Sequence, residues 1–549
     1  MDNPGYVIDC EREFATVEGG REENLSEKPR PHTFEEAITL TGVGRFHYKL
    51  LLICGLCFMG VMVEIMGVSL IMNQMKCDLQ PTYSQALDQQ GILASAGFLG
   101  VVLSSHAMGF LADTWGRATT LRYALCLSCV CSLVSAFSVN IWMLIVFRFL
   151  TGFFISGGQA CVFSLCGEFH GSGSRIRHVT LLSGFLCTAM IFAPAMAIGI
   201  LPLRIETIVL GMRFSSWRVL LLANVSVSLL ALVGITALPE TPKYLLVQGR
   251  GDESLEILRF IFAKNSGRDP SEYPVKEVAL ESGGVSLSDV HGFLDAVRLV
   301  WHQTVPLFHR TRLWHTLNIC CIQFLIYFLA QGIFMWFPTI LDELGTRNGN
   351  DTLLCNVLQG FNMNSGSGDE ASSCSVEVDT STYQVMIIIG ACFVLIYLIF
   401  AFIIDLMGKK NLLMAWMVLT MICLVALHYV EQFALVVIAL TVVMAIGNCG
   451  GLVSTIAMEF YPTHINAMGM CFIMMVGRLG AVVGSNILGR LLFASCDPMF
   501  WALLVLVVLL CTLGYFLPEK TRSRQEKPSA TAKAIVAATT SPIFAINSK

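Results

Sequence analysis

Long apolar runs recur along this chain, and each is long enough to cross a hydrocarbon core of about 30 Å. The runs do not alternate with polar residues, so they are not the strands of a transmembrane β-barrel. The composition agrees, because 55% of the residues are hydrophobic and only 13% are charged, against about 25% charged in soluble domains. The sequence therefore predicts an all-α integral membrane protein that crosses the bilayer many times.

Twelve membrane helices are predicted, in two groups of six. Their ranges are 48–72, 89–112, 121–138, 141–165, 179–201, 217–238, 313–337, 383–405, 411–428, 431–457, 468–493 and 497–517. We divide the chain into an N-terminal tail (1–45), a first half (46–240), a linker loop (241–312), a second half (313–519, with an outer loop at 338–382) and a C-terminal tail (520–549).

The distribution of Lys and Arg predicts the orientation of the helices. With the N-terminus in the cytoplasm, the outer loops hold few basic residues, namely Lys76, Arg204, Arg213 and Arg347. The inner loops hold more, including Arg117, Arg175, Arg177, Lys409, Lys410 and the basic residues of the linker. Because the number of helices is even, both termini are expected in the cytoplasm.

The two halves repeat the same charged marks in the same order. "GFLADTWGR" (109–117) corresponds to "AFIIDLMGKK" (401–410), and both halves close with "LPE" (238–240 and 517–519). The marked residues are Asp113, Gly116, Arg117 and Glu168 in the first half and Asp405, Gly408, Lys409 and Glu459 in the second. This repetition indicates a duplication of six helices, a known plan of transporters.

The duplicated marks lie at the inner ends of helices. An acid such as Asp113 can interact with the positive N-terminus of a neighbouring helix, and Arg117 can reach Glu168. We interpret these contacts as a latch between the halves that opens in each transport cycle. The alternative is a charged loop that only sets the topology.

Several motifs resemble the major facilitator superfamily. "GFLADTWGR" resembles its signature between helices two and three, and "RFLTGFFISGG" (148–158) and "LPETPKYLL" (238–246) resemble motifs of its sugar-porter-like branch. "WFP" (336–338), "GRLGA" (477–481) and the long outer loop resemble the synaptic vesicle glycoprotein 2 and related-protein family. The resemblance implies the major facilitator fold, a central cavity between the halves and alternating access.

Two opposite charges fall at the same depth in the first half. Glu64 lies about 24 Å into the first helix, and Arg148 lies about 10 Å from the opposite face in the fourth. Pairing removes much of the cost of an intramembrane charge. In proton-coupled members of the branch, such a pair couples solute transport to the movement of a proton. The resemblance therefore implies that Glu64 exchanges the proton and that Arg148 tunes the pKa of Glu64. Val61 stands where related proteins often carry a second acid, and a permanent structural ion pair is the alternative.

Further polar groups lie near the middle of the second half. Arg478 is predicted at the membrane centre, where it can bind an anionic or hydroxyl-bearing solute, neutralise an acid or pack against helix ends. Gln323, Tyr327 and Gln331 follow i, i+4, i+8 spacing and share one face of the seventh helix. This face either lines the cavity or makes hydrogen bonds between helices.

The outer loop suggests extracytoplasmic chemistry. Asn350 begins an Asn-Asp-Thr glycosylation sequon. Cys355 and Cys374 flank a polar, Gly/Ser-rich segment, and in an oxidising lumen they can form a disulfide worth about 3 kcal/mol. Two free thiols are the alternative.

The resulting prediction is a secondary-active transporter of a small polar or charged organic solute, with proton coupling left open. There is no ATP-binding GxxxxGK[ST] loop, no HExxH zinc motif and no GxSxG elbow, so neither ATP hydrolysis nor enzyme activity is expected. The net charge of −4 is small, so no nucleic-acid partner is expected. No cofactor or metal site is expected either, since the Cys residues lie mostly inside apolar runs and none form close pairs with His. We expect a monomer in the lipid bilayer of the plasma membrane or a vesicle. The rival is a non-transporting vesicle protein that binds ligand or partners and regulates exocytosis.

Overall fold

The computed structural model describes residues 32–79, 83–203, 205–209, 211–279, 305–310, 312–346, 353–358, 380–461 and 463–517. Within these ranges twelve helices are long and apolar enough to cross a membrane, which confirms the prediction. They are α1 (Arg45–Ile71), α2 (Tyr83–Trp115), α3 (Arg117–Ala136), α4 (Ile141–Glu168), α5 (Ser172–Ile200), α6 (Ser216–Thr236), α7 (Leu313–Thr346), α8 (Thr380–Met407), α9 (Lys409–Ala426), α10 (Phe433–Met444 and Cys449–Phe460), α11 (Thr463–Ala494) and α12 (Cys496–Tyr515).

Successive helices run in opposite directions between two faces of the molecule. We call the face where α1 begins, at Arg45, the proximal face, and the face where α1 ends, at Ile71, the distal face. The turns between α2 and α3 and between α8 and α9 both lie on the proximal face. Each contains a glycine with positive φ, Gly116 at 99° and Gly408 at 83°, a conformation that glycine adopts without a Cβ clash. The repeated marks in the sequence therefore form equivalent turns.

Helix α7 is longer than the sequence predicted. It continues through Pro338 to Thr346, so the loop expected from residue 338 begins after this helix. Proline removes one backbone donor and usually ends or kinks a helix. Here the far end of α7 is held by tertiary contacts, because Ile340 is buried and Asp342 accepts a hydrogen bond from Asn73 of the segment after α1 at 3.1 Å.

A small cap of short elements covers the proximal end of α1. It consists of the helices Phe34–Leu40, Pro242–Val247 and Gly251–Ser266 and a parallel pairing of His32–Thr33 with Val278–Ala279. Asn265 joins the cap to α1, because its Oδ1 accepts from the Phe46 amide at 3.1 Å and its Nδ2 donates to the Thr41 carbonyl at 3.1 Å. The predicted tail and linker thus contain ordered helices beside α1.

Three histidine rings pack in a row beneath this cap, and we call them the histidine stack. The rings of His47 and His170 meet edge to face with centroids 4.6 Å apart, and those of His170 and His178 are stacked at 4.1 Å. His170 Nδ1 bonds the Cys166 carbonyl at 2.6 Å, and burial lowers the pKa of His170 to about 4. The stack joins α1 to the turn between α4 and α5 with a neutral His170 at its centre.

One disulfide joins the segment after α7 to the start of α12. Cys355 pairs with Cys496, with their Cα atoms 5.3 Å apart, so the predicted Cys355–Cys374 bond is wrong. Leu354 and Leu358 are buried beside Cys355 and hold this segment on the second half. The sequence pairing rested on closeness along the chain, whereas the true partner is 141 residues away. Cys374 and Asn350 lie outside the described residues.

We expect mass spectrometry of non-reduced protein to find a Cys355–Cys496 cross-linked peptide. Closing so long a loop is worth about 5 kcal/mol in the chain-entropy model. Cys355→Ser and Cys496→Ser should therefore lower thermal stability equally, and the double variant should lower it no further. Cys126→Ser, at a free and exposed cysteine, is the matched control and should have little effect. A Cys355–Cys374 peptide would contradict the structure.

The histidine stack predicts a loss of stability in mild acid. The unfolded state binds a proton on His170 near pH 6.5, whereas the folded state does so only at about pH 4. Because the unfolded state binds more protons in this window, stability falls as the pH falls from 7 toward 4. His170→Phe keeps a ring in the stack but does not titrate, so its unfolding temperature should depend less on pH. An equal pH dependence in both proteins would argue against this explanation.

Candidate functional site

Glu64 and Arg148 form a buried ion pair between α1 and α4. Arg148 Nη1 lies 2.9 Å from Glu64 Oε2, and the side chains of Arg148 and Glu64 are 3% and 2% exposed. The pairing inferred from their depth in the membrane is therefore confirmed. Removing one partner of an ion pair so well shielded from solvent strongly destabilises the protein.

Two serines of α3 complete this ion pair. Ser132 Oγ donates to Glu64 Oε2 at 2.7 Å and accepts from Arg148 Nη2 at 3.2 Å. Ser135 Oγ accepts from the same nitrogen at 2.5 Å. The sequence analysis missed both residues, although Ser128, Ser132 and Ser135 share one face of α3 at i, i+4, i+7 spacing.

The pair lies inside the first half rather than between the halves. The small cavity beside it is lined by α1, α2 and α4, including Ala94, Gly97 and Thr151. In the described part of the chain, Glu64 Oε1 and Arg148 Nε have no hydrogen-bond partner. One carboxylate oxygen therefore has no hydrogen bond, beside a cavity that belongs to the first half.

The first charged mark joins three helices of the same half. Arg117 Nη2 lies 3.1 Å from Asp113 Oδ1, and its Nε lies 3.2 Å from Glu168 Oε1. The expected Arg117–Glu168 contact is therefore present. These contacts connect the ends of α2, α3 and α4, so they do not themselves form the expected latch between the halves.

Glu240, not Asp113, interacts with the N-terminus of the neighbouring helix. Its two oxygens accept from the backbone amides of Ala118 at 2.9 Å and Thr119 at 3.0 Å, which are the unpaired donors at the start of α3. Gly116 makes this possible, because a Cβ there would lie 2.5 Å from Glu240 Oε2. The "LPET" motif thus caps the helix that the first mark begins.

The second mark is described only in part. Gly408 precedes α9 as Gly116 precedes α3, and Lys409 occupies the position of Arg117. Lys410 Nζ donates to the Leu517 carbonyl at 3.1 Å, which ties α9 to the end of α12. The side chains of Asp405 and Glu459 lie outside what the structure describes, so their part in the repeat stays a prediction.

The polar face of α7 lies against α10 and α11. Gln323 and Tyr327 fit between Gly450 and Gly477. A Cβ at Gly450 would lie 3.0 Å from Tyr327, and a Cβ at Gly477 would lie 2.9 Å from Gln323. Gln323 is fully buried, and the Oε1 atoms of Gln323 and Gln331 have no hydrogen-bond partner among the described residues. Unpaired buried acceptors of this kind are available to a bound solute.

Arg478 connects the two halves near the middle of the membrane. Its Nη1 donates to Ser105 Oγ of α2 at 2.8 Å, and Gly477 beside it packs on Tyr327. A cation thus lies next to the polar face of α7 and opposite the first half. The sequence analysis found Arg478 but had no means of finding Ser105.

Helix α10 is interrupted at the same level by a 3-10 turn, Ala445–Asn448. Gly447 packs closely on Ala330 of α7, and the Asn448 amide nitrogen lacks a partner in the described ranges. A 3-10 turn within a helix often marks a functional hinge. Asn448 is not among the residues that the sequence analysis singled out.

The two halves also meet near the distal face. Apolar side chains of both halves meet there around a small cavity, and we call this group the apolar plug: Met66, Met190, Phe334, Phe337 and Met386. Beyond it, Tyr383 donates to the Leu70 carbonyl at 3.4 Å, and Arg490 pairs with Asp88 at 2.8 Å. The central polar groups are thus separated from the distal face by packed side chains.

A model of the Major Facilitator Superfamily matches residues 57–368, more than half of the chain. Mouse synaptic vesicle glycoprotein 2C is 26% identical over 61% of this chain and 47% of the relative. Rat synaptic vesicle glycoprotein 2A is 27% identical over 59% of this chain and 46% of the relative. The chain thus spans about half the length of these curated relatives.

Solved structures show the same fold. The partially occluded inward open xylose transporter XylE from E. coli superposes with a TM-score of 0.62 at 13% identity, over 86% of this chain and 100% of that one. A mutant of the nucleoside transporter NupG superposes with a TM-score of 0.55 at 12% identity, over 89% of this chain and 100% of that one. The chain belongs to the Major Facilitator Superfamily. It is a multi-pass membrane protein that resembles the sugar-porter-like branch and the synaptic vesicle glycoprotein 2 family.

We predict that Glu240→Gln loosens the proximal end of α3. The variant keeps the shape but loses the carboxylate charge that accepts from two backbone amides. Loss of a helix cap typically costs about 0.5–2 kcal/mol, so thermal unfolding in detergent should occur at a lower temperature. Glu256→Gln on the exposed cap helix is the matched control. Equal unfolding temperatures for both variants would show that Glu240 is not a cap.

Proposed function

We propose that this protein is a secondary-active transporter that carries a small polar or charged organic solute by alternating access. The proximal face is cytoplasmic in this proposal, as are both termini, because the basic residues of the loops favour that side. The observation that carries the proposal is the group of polar side chains at the middle of the membrane, contributed by both halves.

The solute site consists of Arg478, Gln323, Gln331 and Asn448, with Ser105 opposite. Arg478 supplies positive charge, and the amides supply acceptors and a donor without protein partners among the described residues. This set suits a solute with a carboxylate or several hydroxyl groups. Solute sites near the midplane at the interface of the repeats are the rule in such transporters.

Glu64 is the proton site in this proposal, and it acts at a distance from the solute. As a carboxylate it pairs with Arg148 and Ser132. When a proton binds, the ion pair is lost and the packing of α1 against α3 and α4 changes. Because these helices belong to the half that rocks during alternating access, the protonation state can bias the direction that the cavity faces.

Closure at the distal side supports this cycle. The apolar plug and the Arg490–Asp88 pair separate the solute site from the distal face. The opposite state requires these contacts to break and contacts at the proximal ends to form. The Asp113–Arg117–Glu168 cluster then keeps α2, α3 and α4 together as they move, rather than joining the halves.

The resemblance to synaptic vesicle glycoproteins favours a second candidate, a vesicle membrane protein that binds ligand or partners without net transport. It predicts ligand binding at the same polar site but no accumulation of solute. Uptake of radiolabelled carboxylates, sugars and organic cations into proteoliposomes, with and without a pH gradient, distinguishes the two. Uptake that depends on the pH gradient supports the transporter, and binding without uptake supports the second candidate.

We predict that Glu64→Gln separates exchange from accumulation. Gln cannot release a proton, so solute counterflow should continue while uphill uptake driven by the pH gradient disappears. Rates are normalised to folded protein, because breaking a buried ion pair typically costs about 3–5 kcal/mol. Glu206→Gln, in an exposed ion pair with Arg213, is the matched control. Uphill uptake by Glu64→Gln would exclude Glu64 as the proton site, and equal loss of both modes would favour a structural ion pair.

A further inference from the structure

Asn224 of α6 is a buried amide whose side chain has no hydrogen-bond partner among the described residues. It is 1% exposed, and both its Nδ2 and its Oδ1 lack partners there. Leaving a buried donor or acceptor unpaired costs about 1–3 kcal/mol for each group. Both ends of this amide are unpaired, and its helix packs on α1. The explanation to test is a hydrogen-bond partner that is present only part of the time.

The face of α1 opposite Asn224 carries Glu64. Gly60, Glu64 and Gly67 follow i, i+4, i+7 spacing and therefore share one side of α1. A Cβ at Gly67 would lie 2.5 Å from Asn224 Nδ2, and a Cβ at Gly60 would lie 2.7 Å from Ser228 Oγ. The two glycines thus let α6 approach α1 closely on both sides of Glu64.

Asn224 is within reach of Glu64. Gly67 is three residues from Glu64, which is about 4.5 Å along the helix axis. A glutamate side chain can cover such a distance by changing rotamer. In the conformation described here, Glu64 instead points its Oε2 to Arg148 and Ser132.

The chemistry of the amide matches a neutral carboxylic acid. A carboxylate only accepts hydrogen bonds, whereas the protonated acid has one O–H donor and a carbonyl acceptor. An amide likewise offers one acceptor, Oδ1, and donors on Nδ2. Arg148 suits the charged form, and Asn224 suits the neutral form. Ser228 is less suited, because its donor and its acceptor are on a single oxygen, whereas an amide places them on two atoms that can face the two oxygens of the acid separately.

We propose that Asn224 is the hydrogen-bond partner of Glu64 when Glu64 is protonated, and that the carboxyl group moves between Arg148 and Asn224 as it gains and loses the proton. The proposal rests on the proton site proposed above. A proton from water binds Glu64 Oε1, and the ion pair with Arg148 is lost. The new O–H donates to Asn224 Oδ1, while Nδ2 donates to the other oxygen. Release of the proton to water reverses each step.

The residues around Glu64 favour two distinct positions of its carboxyl group. The titratable and charged groups that face Glu64 in the described structure are Arg148 of α4 and Cys129 of α3. Arg148 keeps the hydroxyl oxygens of Ser132 and Ser135 as acceptors when the carboxyl moves away. The cation is therefore not left without hydrogen bonds, and the carboxyl moves from the α3–α4 side of α1 to the α6 side.

Infrared difference spectroscopy of the full chain in lipid, titrated between pH 4 and pH 9, tests the proposal. The carbonyl band of protonated Glu64 is identified as the band that the unmodified protein shows and the Glu64→Gln variant lacks. In Asn224→Leu, which keeps the volume but offers no hydrogen bond, we expect this band at higher wavenumber. It should also appear at more acidic pH, with a protonated population about tenfold smaller at equal pH. Ser226→Leu, an exposed site on the same helix, is the matched control and should match the unmodified protein.

The outcomes separate this proposal from the proposed function. If the unmodified protein shows a Glu64 band that Asn224→Leu leaves unchanged in position and titration, Glu64 binds protons but Asn224 is not its partner. If the unmodified protein shows no titrating Glu64 band, proton binding at Glu64 fails as well. Should Asn224→Leu fold poorly, Asn224→Ala provides a smaller variant that also offers no side-chain hydrogen bond, and the same band shift is expected.

Discussion

The structure depends on one constraint, which is that charge inside a hydrocarbon layer must be compensated. Arg148 and Glu64 compensate each other's charge, and hydroxyl groups of α3 add hydrogen bonds to both side chains. Arg478 instead reaches a serine of the other half. The first pair is enclosed within one bundle, where we propose a proton site, whereas Arg478 lies between the bundles, where we propose a solute site.

Glycine determines which helices can share these polar groups. Gly97 and Gly152 bring α2 against α4, and Gly480 and Gly484 bring α11 against the backbone of α7. Small residues allow such close approaches between membrane helices. Backbones are in contact at these points within each half, and Gly390 of α8 meets the backbone of Met190 of α5 in the same way between the halves.

The duplication gives both halves the same frame but not the same chemistry. The turns at Gly116 and Gly408 are equivalent. The buried acid of α1, however, has no counterpart at the polar centre of the second half, where amides and Arg478 take its place within the described residues. A symmetrical scaffold thus carries two different sites, one for each half.

The sequence by itself determined the twelve helices, the duplication and the Glu64–Arg148 pair, because hydrophobic length and helical rise are local quantities that need no tertiary information. Only the tertiary structure decided that Glu240 caps α3, that Cys355 bonds Cys496 and that Ser132 and Ser105 bond Glu64 and Arg478 respectively. These contacts join residues far apart in the chain, and they depend on how the helices pack. Spacing along one helix carries no information about which neighbour its polar face will meet.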